Sequence, residues 1–406
     1  MSTMAPSLED FREQALSWLS EHARELPRED SDAPWGSGKE SVAVFDDHTE
    51  DEEAAACADA QAWHRTKLDG GWAALTWPPE LGGRGLPASY EAAFAELESR
   101  FSTPRTPELL MVTIGLVAPT IRMFGTPEQK ERFLAPFVRL DELCCQLFSE
   151  PGAGSDLAAL SCRATRTGDG WVLDGQKVWT SGARQAQHGL LIARSDTDAK
   201  HAGLTAFLVP MDHPGVEVRP IRQMTGGESF NEVFFDEVTV ADSARVGSEG
   251  DGWSVAKATL GFERSISGAG AADAGGTWAQ VLGLARHLGM DSDLRTRQAL
   301  AHLYSRFQVL DMVANASRAA LMAGEAPGAG GSIGKLLWTS VLTETSEVVG
   351  GMLGPRLAAD GGEWGTYAWR EHVLGAPGYR IAGGSDEIQR NIIGEQVLGL
   401  PREPRA

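Results

Sequence analysis

Over the first third of the chain, apolar residues recur every three or four positions. Ser7 to Leu26 carries Leu8, Phe11, Ala15, Trp18, Leu19 and Leu26 at that spacing behind a Ser7-x-x-Asp10 start, which predicts a capped helix. Ala54 to Gly70, Tyr90 to Arg100 and Thr106 to Phe124 repeat the pattern. Thr126-Pro-Glu-Gln129 opens another helix, with a capping threonine, proline at the first helical position and glutamine three residues after the cap. Glu29 to Glu53 is acidic and poor in large apolar residues, which predicts a surface loop; Trp77 to Gly85 is a loop of helix breakers.

The pattern then changes. Cys162–Thr167 and Trp171–Lys177 flank Gly168-Asp-Gly170 as a hairpin with a three-residue turn. Gly189–Arg194, Leu204–Pro210, Val216–Arg222 and Asn231–Val240 are further short runs rich in Val, Ile, Leu and Phe. The helical period returns at Asp251 to about Ala271, Trp278 to Leu288, Leu294 to Ala323 and Ile333 to Leu353. A last helix, Ser385 to Leu398, stops at Gly399 before Pro401. The expected fold is α+β in three domains: residues 1–141 helical, 142–245 a small antiparallel β domain, and 246–406 helical.

Composition removes several function classes. A net charge of −20 argues against a nucleic-acid or anionic-membrane surface, and an anionic substrate would need local arginines. Cys57, Cys144, Cys145 and Cys162 form no CxxC and no metal-ligand spacing, which reads as reduced thiols in a cytoplasmic protein. The N-terminus lacks a basic-then-apolar signal pattern, and Pro119 and Arg122 end the apolar run Leu109 to Ala118 far short of the ~20 residues of a membrane span. Gly36-Ser-Gly-Lys39 is not a phosphate loop, because Ala33 and Glu40 stand where Gly and Ser or Thr are required. No GxGxxG lies between a strand and a helix.

The chemistry concentrates between Gln146 and Ala183. Two small-residue turns, Pro151-Gly-Ala-Gly-Ser155 and Trp179-Thr-Ser-Gly182, are joined by the hairpin pattern. Gly152 and Gly154 let a ligand approach the backbone. Ser149, Ser155, Thr180 and Ser181 supply hydroxyls, and Trp179 supplies a flat face. The set suits a planar heteroaromatic ring with polar edges, such as a flavin; the alternative is two tight turns around a core tryptophan.

Phe148-Ser-Glu-Pro-Gly-Ala-Gly-Ser-Asp156 resembles the first signature of the acyl-CoA dehydrogenase superfamily. Lys177-Val-Trp-Thr-Ser-Gly182 resembles its flavin-contact segment, and Gly383-Gly-Ser-Asp-Glu-Ile-Gln-Arg390 its C-terminal Gly-Thr-x-x-Ile-x-Arg element. The three stand in the family's order. The resemblance implies a helical domain, a β domain and a C-terminal four-helix bundle, with FAD as cofactor. It implies removal of the α-proton of an acyl-CoA thioester by a base while hydride goes to flavin N5. An electron-transfer flavoprotein is the implied acceptor, and a homo-tetramer, or a hetero-tetramer with a related chain, the implied assembly.

Residue by residue, the resemblance places Gln146, Phe148, Ser149, Gly154, Ser155, Trp179, Thr180 and Ser181 at the cofactor. Ser385, at the cap of the last helix, falls where the FAD pyrophosphate is seated. Glu387, the Gly350-Gly351 pair and Arg286 fall on further cofactor positions, with His287, Arg295 and Arg297 as alternatives to Arg286, because the family's Arg-Lys-Thr-Phe-Gly segment is absent. Ser155 and Arg264 are assigned to the substrate; Arg219, Arg222 and Lys257 read instead as solvated charges.

One departure is central. Where many relatives carry Tyr-Glu, with that glutamate as base, this chain has Ala382-Gly383, so only the Gly383 backbone N–H can serve there. Glu263, in Thr259-Leu-Gly-Phe-Glu-Arg264, matches the base position of isovaleryl-CoA and long-chain acyl-CoA dehydrogenases. Ala256, Leu260, Glu263 and Ser267 share one predicted helix face, where a glutamate needs a use or a partner. A structural ion pair is the alternative role for Glu263. A catalytically silent partner subunit and an oxygen-using flavoprotein are the alternatives for the whole chain.

Overall fold

A computed structural model describes residues 5–26, 35–45, 47–270, 275–323 and 329–402, and the side chains among them except those of 264–270, 321 and 322. The chain divides into two compact units. The first comprises Met1–Leu26, His48–Gln223 and Glu228–Glu263; the second comprises Pro27–Asp47, Met224–Gly227 and Arg264–Ala406.

In the first unit the predicted helices form at Leu8–His22, Glu50–Asp69, Ala88–Glu98, Glu108–Phe124 and Pro127–Arg139. The acidic stretch 29–53 is not all loop, although part of it lies outside the described residues. Thr49 caps a helix beginning at Glu50 with a full capping box, and Glu50 to Glu53 place negative charge against the helix's positive end. Glu108–Phe124 widens into a π segment at Val112–Val117, next to Pro119, which has no N–H for the regular ladder.

The sheet runs in the order Arg245–Val246, Leu204–Pro210, His188–Arg194, Arg163–Thr167, Gly170–Ser181, Phe230–Ala241, Val216–Ile221. It is not purely antiparallel. Cys144–Leu147, a short strand buried except at the half-buried Gln146 and not predicted from the sequence, pairs in parallel with His188–Leu191. The hairpin turn has two residues rather than three, because Gly170 pairs with Thr167, leaving Gly168 (φ +54°) and Asp169 to reverse the chain. Trp171, Phe207, Val233 and Leu147 are among the residues of the core behind this sheet.

The second unit contains helices Trp278–His287, Leu294–Met322, Gly330–Leu353, Trp369–Tyr379 and Asp386–Ile392, the last continuing as a π segment Ile393–Val397. Trp369–Tyr379 is absent from the sequence reading because Gly375, Pro377 and Gly378 hide its period. Residues 35–45 also belong to this unit: Trp35 stacks on His287 at 4.7 Å, and Val42 is buried in the core with Trp369 and Leu284.

Candidate active site

In the first unit the two motifs are stitched together. After Cys144–Leu147 the chain turns back on itself, with Glu150 and Ala153 exchanging both backbone hydrogen bonds at 3.0 Å. The Val178 N–H donates to the Ser149 carbonyl at 3.0 Å. Lys177 is fully buried, and its Nζ donates to the Phe148 carbonyl at 3.0 Å and to Glu150 Oε1 at 2.8 Å. Glu150 further accepts from the Ser161 N–H (2.6 Å), the Ser161 hydroxyl (2.9 Å) and the Cys162 N–H (2.9 Å). Burial alone would push the Glu150 carboxyl up, but Lys177 and the backbone donors outweigh it and hold it below the usual range.

Immediately after Lys177 the strand bulges. Lys177 lies opposite Val233 and Thr180 opposite Asn231, so Gly170–Ser181 carries one residue more than its partner over this step. Trp179 absorbs the extra length with φ +62°, a left-handed conformation that costs about 1–2 kcal/mol outside glycine. The residue is 56% exposed, with its ring edge-on to Phe230 at 6.1 Å. Thr180 is buried; its carbonyl accepts from Asn231 Nδ2 at 3.0 Å, and its hydroxyl has no partner among the described residues. Beside Ser181, burial pushes the Glu108 carboxyl up, and the serine offsets this only in part.

Gly152 and Gly154 are exposed, and a Cβ on either would meet nothing within 4 Å. Neither has a left-handed φ. The chain itself does not require glycine at these positions, so the clearance serves whatever approaches from outside. That clearance, the orphaned Thr180 hydroxyl and the outward indole fit the flat face and polar edge of an isoalloxazine. Gln146 is half-buried on its strand, Phe148 is buried and Ser155 is exposed.

Glu263 ends the first unit, on helix Gly252–Gly270. The buried stripe of this helix is Val255, Ala256 and Thr259; Leu260 and Glu263 are half-buried at its edge rather than in its centre. One turn before Glu263, the Thr259 hydroxyl meets that of Thr120 at 2.9 Å, both fully buried. The side chains of Arg264 and Ser267 lie outside the described residues.

In the second unit Gly383 and Gly384 form a left-handed turn, φ +63° and +90°. Gln389 Nε2 donates to both of their carbonyls, at 2.8 and 3.1 Å, and Lys335 Nζ donates to the Gly384 carbonyl at 2.8 Å. Lys335 also lies 3.5 Å from Asp386, which accepts from Thr339 Oγ1 and Arg380 Nε, each at 2.9 Å. The Gly383 N–H finds no acceptor among the described residues. Ser385 Oγ accepts from the Ile388 N–H at 3.4 Å, so the cap forms as expected, with Asp386 already placing an anion in the first turn.

Glu387 is exposed, 3.5 Å from Arg390. Gly350 and Gly351 lie on Gly330–Leu353 with nothing near a Cβ on either. Arg286 is exposed, whereas His287 is engaged by Trp35 and by Glu363 at 2.8 Å. Arg219 is tied to Glu217 within its own strand, as a solvated charge.

Sequence reasoning passed over Glu150, Lys177 and Asn231 in the first unit, and Lys335, Asp386 and Gln389 in the second. A signal existed for the lysines. Lys177 directly precedes Val178 at the end of an apolar strand pattern, and Lys335 stands on the inward stripe Ser332, Lys335, Thr339, Leu342.

Known proteins give the same picture. Family models for the acyl-CoA dehydrogenase N-terminal, middle and C-terminal domains match residues 40–141, 145–238 and 250–398. Acyl-CoA dehydrogenase IpdE1 of Mycolicibacterium smegmatis is 41% identical over 366 residues, covering 86% of this chain and 91% of that protein. IpdE1 of Mycobacterium tuberculosis is 38% identical over 402 residues, covering 98% and 99%. The solved Tcur3481–Tcur3483 steroid acyl-CoA dehydrogenase is similar with a TM-score of 0.74 at 26% identity, covering 99% of this chain and all of that one. The ChsE4–ChsE5 complex from Mycobacterium tuberculosis has a TM-score of 0.70 at 25% identity, covering 99% of this chain and 100% of that one. Among the described residues no helix is long and apolar enough to cross a membrane. With its three motifs in order, all three domains matched and close relatives over nearly its whole length, the chain belongs to the acyl-CoA dehydrogenase family and is an FAD-dependent oxidoreductase.

Proposed function

We propose that the chain catalyses the α,β-dehydrogenation of a CoA thioester carrying a bulky, ring-containing acyl group, with Glu263 as the α-proton base. Bound FAD supplies the hydride acceptor. The observation that carries the reading is a half-buried Glu263 on its helix, in a chain whose position 383 is a glycine with no side chain to accept a proton. An α-proton beside a thioester is weakly acidic, so it needs a base at contact distance and a donor for the developing oxyanion. Glu263 serves the first need, on a helix whose register the Thr120–Thr259 contact secures. The Gly383 N–H serves the second.

Trp179, Thr180 and Ser181 face the flavin ring, with Gln146, Phe148, Ser149, Gly154 and Ser155 around it. Ser385, Glu387, Gly350, Gly351 and Arg286 serve the rest of the dinucleotide, and Ser155 and Arg264 the CoA ester. Alanine and glycine at 382–383 give the acyl group width that a tyrosine and a glutamate would take. The similar proteins described as a steroid dehydrogenase and as two-chain complexes support a steroid-derived substrate and a hetero-oligomer. An electron-transfer flavoprotein is the proposed acceptor. Four buried, unpaired thiols support a cytoplasmic setting.

The test is stopped-flow bleaching of the flavin by a panel of acyl-CoA thioesters. Glu263→Gln slows bleaching by at least ~100-fold while FAD and thioester remain bound. Wild-type bleaching in that variant removes Glu263 as the base. No bleaching by any thioester in the wild-type assembly favours the silent-subunit reading, which the missing side chain at 383 also motivates.

A further inference from the structure

We propose that the buried Glu150–Lys177 pair is a positioning device that sets the glycine turn at 152–154 against the bulged segment Trp179–Ser181; the proposal rests on the flavin reading of that site. The pair joins the two motifs directly. Glu150 stands just ahead of the open glycine turn, and Lys177 is the last regular residue before the bulge. The lysine fixes the first motif at two points, the Phe148 carbonyl and Glu150 Oε1.

Both carboxylate oxygens are committed. Oε1 receives Lys177 and the Cys162 N–H, and Oε2 receives the Ser161 N–H and hydroxyl. The pair is nearly solvent-free, with side-chain exposures of 0% and 4%. A carboxylate so fully engaged has nothing left to offer a ligand, so its role is to hold other groups. What it holds is strained: a tryptophan at φ +62° persists only where its surroundings over-determine it. Lys177, two residues before Trp179, fastens one end of that bulge, and Asn231 fastens the other through the Thr180 carbonyl.

Fold support and ligand positioning separate experimentally. Removing one charge of a buried pair is destabilising, whereas replacing both with apolar residues of similar size often restores stability. The FAD-loaded protein is therefore compared as wild type, Lys177→Met, and the pair Glu150→Leu with Lys177→Met. If the pair only supports the fold, FAD retention recovers together with the melting temperature. If it positions the turn, the pair variant melts near wild type yet its FAD dissociation constant stays raised by about tenfold or more, the scale on which supporting partners act at metal sites. Its visible flavin bands shift as well.

A folded pair variant with wild-type FAD affinity and spectrum overturns the proposal. Should the pair variant not fold, Glu150→Gln decides by the same two readouts. Its amide keeps the volume but sets an N–H₂ where an acceptor is needed, and wild-type FAD affinity and spectrum there overturn the proposal equally. Trp179→Ala separates the two levels. FAD binding weakened by Trp179→Ala alone removes the clamp and keeps the flavin reading; FAD binding unaffected by any of these changes removes both.

Discussion

Each unit has two glycines close in sequence to the carboxylate of a buried carboxylate–lysine pair, but the two arrangements serve different needs. At 152–154 the glycines have ordinary backbone angles and open space beside them. At 383–384 both glycines are left-handed, and a Cβ on Gly384 would come within 2.8 Å of Gln389 Nε2. The first glycines are free for a ligand; the second are required by the chain. The clamps differ in the same sense. Glu150 and Lys177 are sealed in the sheet among backbone donors, whereas Asp386 shares its charge with Arg380, whose side chain is 47% exposed. Burial pulls Lys335 below the ordinary lysine range despite the opposing pull of Asp386.

The largest expected difference lies in the carboxylate–lysine pairs. Lys177→Met leaves Glu150 buried without its cation and costs about 3–5 kcal/mol. Asp386→Asn costs less, roughly 1.5–3 kcal/mol, because Arg380 can turn to water and Lys335 keeps the Gly384 carbonyl. Denaturant unfolding of both variants measures the gap; equal losses would show that the exposure of Arg380 is irrelevant.

Next come the glycines. Gly384→Ala loses about 1–2 kcal/mol through its backbone angle. Gly152→Ala stays within ~0.5 kcal/mol of wild type in stability but holds FAD less tightly. Thermal melts with and without added FAD separate the two effects, and a stability loss at Gly152 would break the distinction. The same geometry burdens any attempt to place a base at 383: Gly383→Glu must adopt φ +63°.

The smallest effect is in pH dependence. At Glu150, burial raises the carboxyl but Lys177 and the backbone donors win; at Asp386, burial likewise raises it, and Arg380, Thr339 and Lys335 win. Both folded carboxyls therefore lie below their unfolded values. Each contributes stability that is fully present above the unfolded pKa, about 4, and is lost as pH falls through the lower folded value. Cys162, beside Glu150, does not interfere, since burial pushes its thiol up to about 11. Glu150→Gln therefore flattens the acid limb of stability against pH below about 4. An unchanged limb would mean the carboxylate titrates alike folded and unfolded.

Much of this was legible in the residues because it depends on local rules. Thr126-Pro-Glu-Gln129 forms its capping box, with hydrogen bonds of 3.0 and 3.2 Å, because every participant lies within one helical turn. Strands such as Leu204–Pro210 followed from their apolar runs. Trp369–Tyr379 did not, since its glycines and proline contradict local preference and packing of Trp369 and His372 overrides them. Cys144–Leu147 was missed because four residues, one of them Gln146, have no readable period and become a strand only by pairing with His188–Leu191.

The sequence by itself determined the family, the helix–sheet–helix order and the short stretches where chemistry gathers, because motif identity and hydrophobic period are properties of neighbouring residues. Tertiary structure alone decided that Glu150 meets Lys177, 27 positions away, and that Thr120 meets Thr259, 139 positions away. It also decided that Trp179 turns outward on a bulge, a matter of register between Gly170–Ser181 and Phe230–Ala241. Buried polar groups must find partners wherever the fold brings them, and the distance along the chain carries no information about which partner that will be.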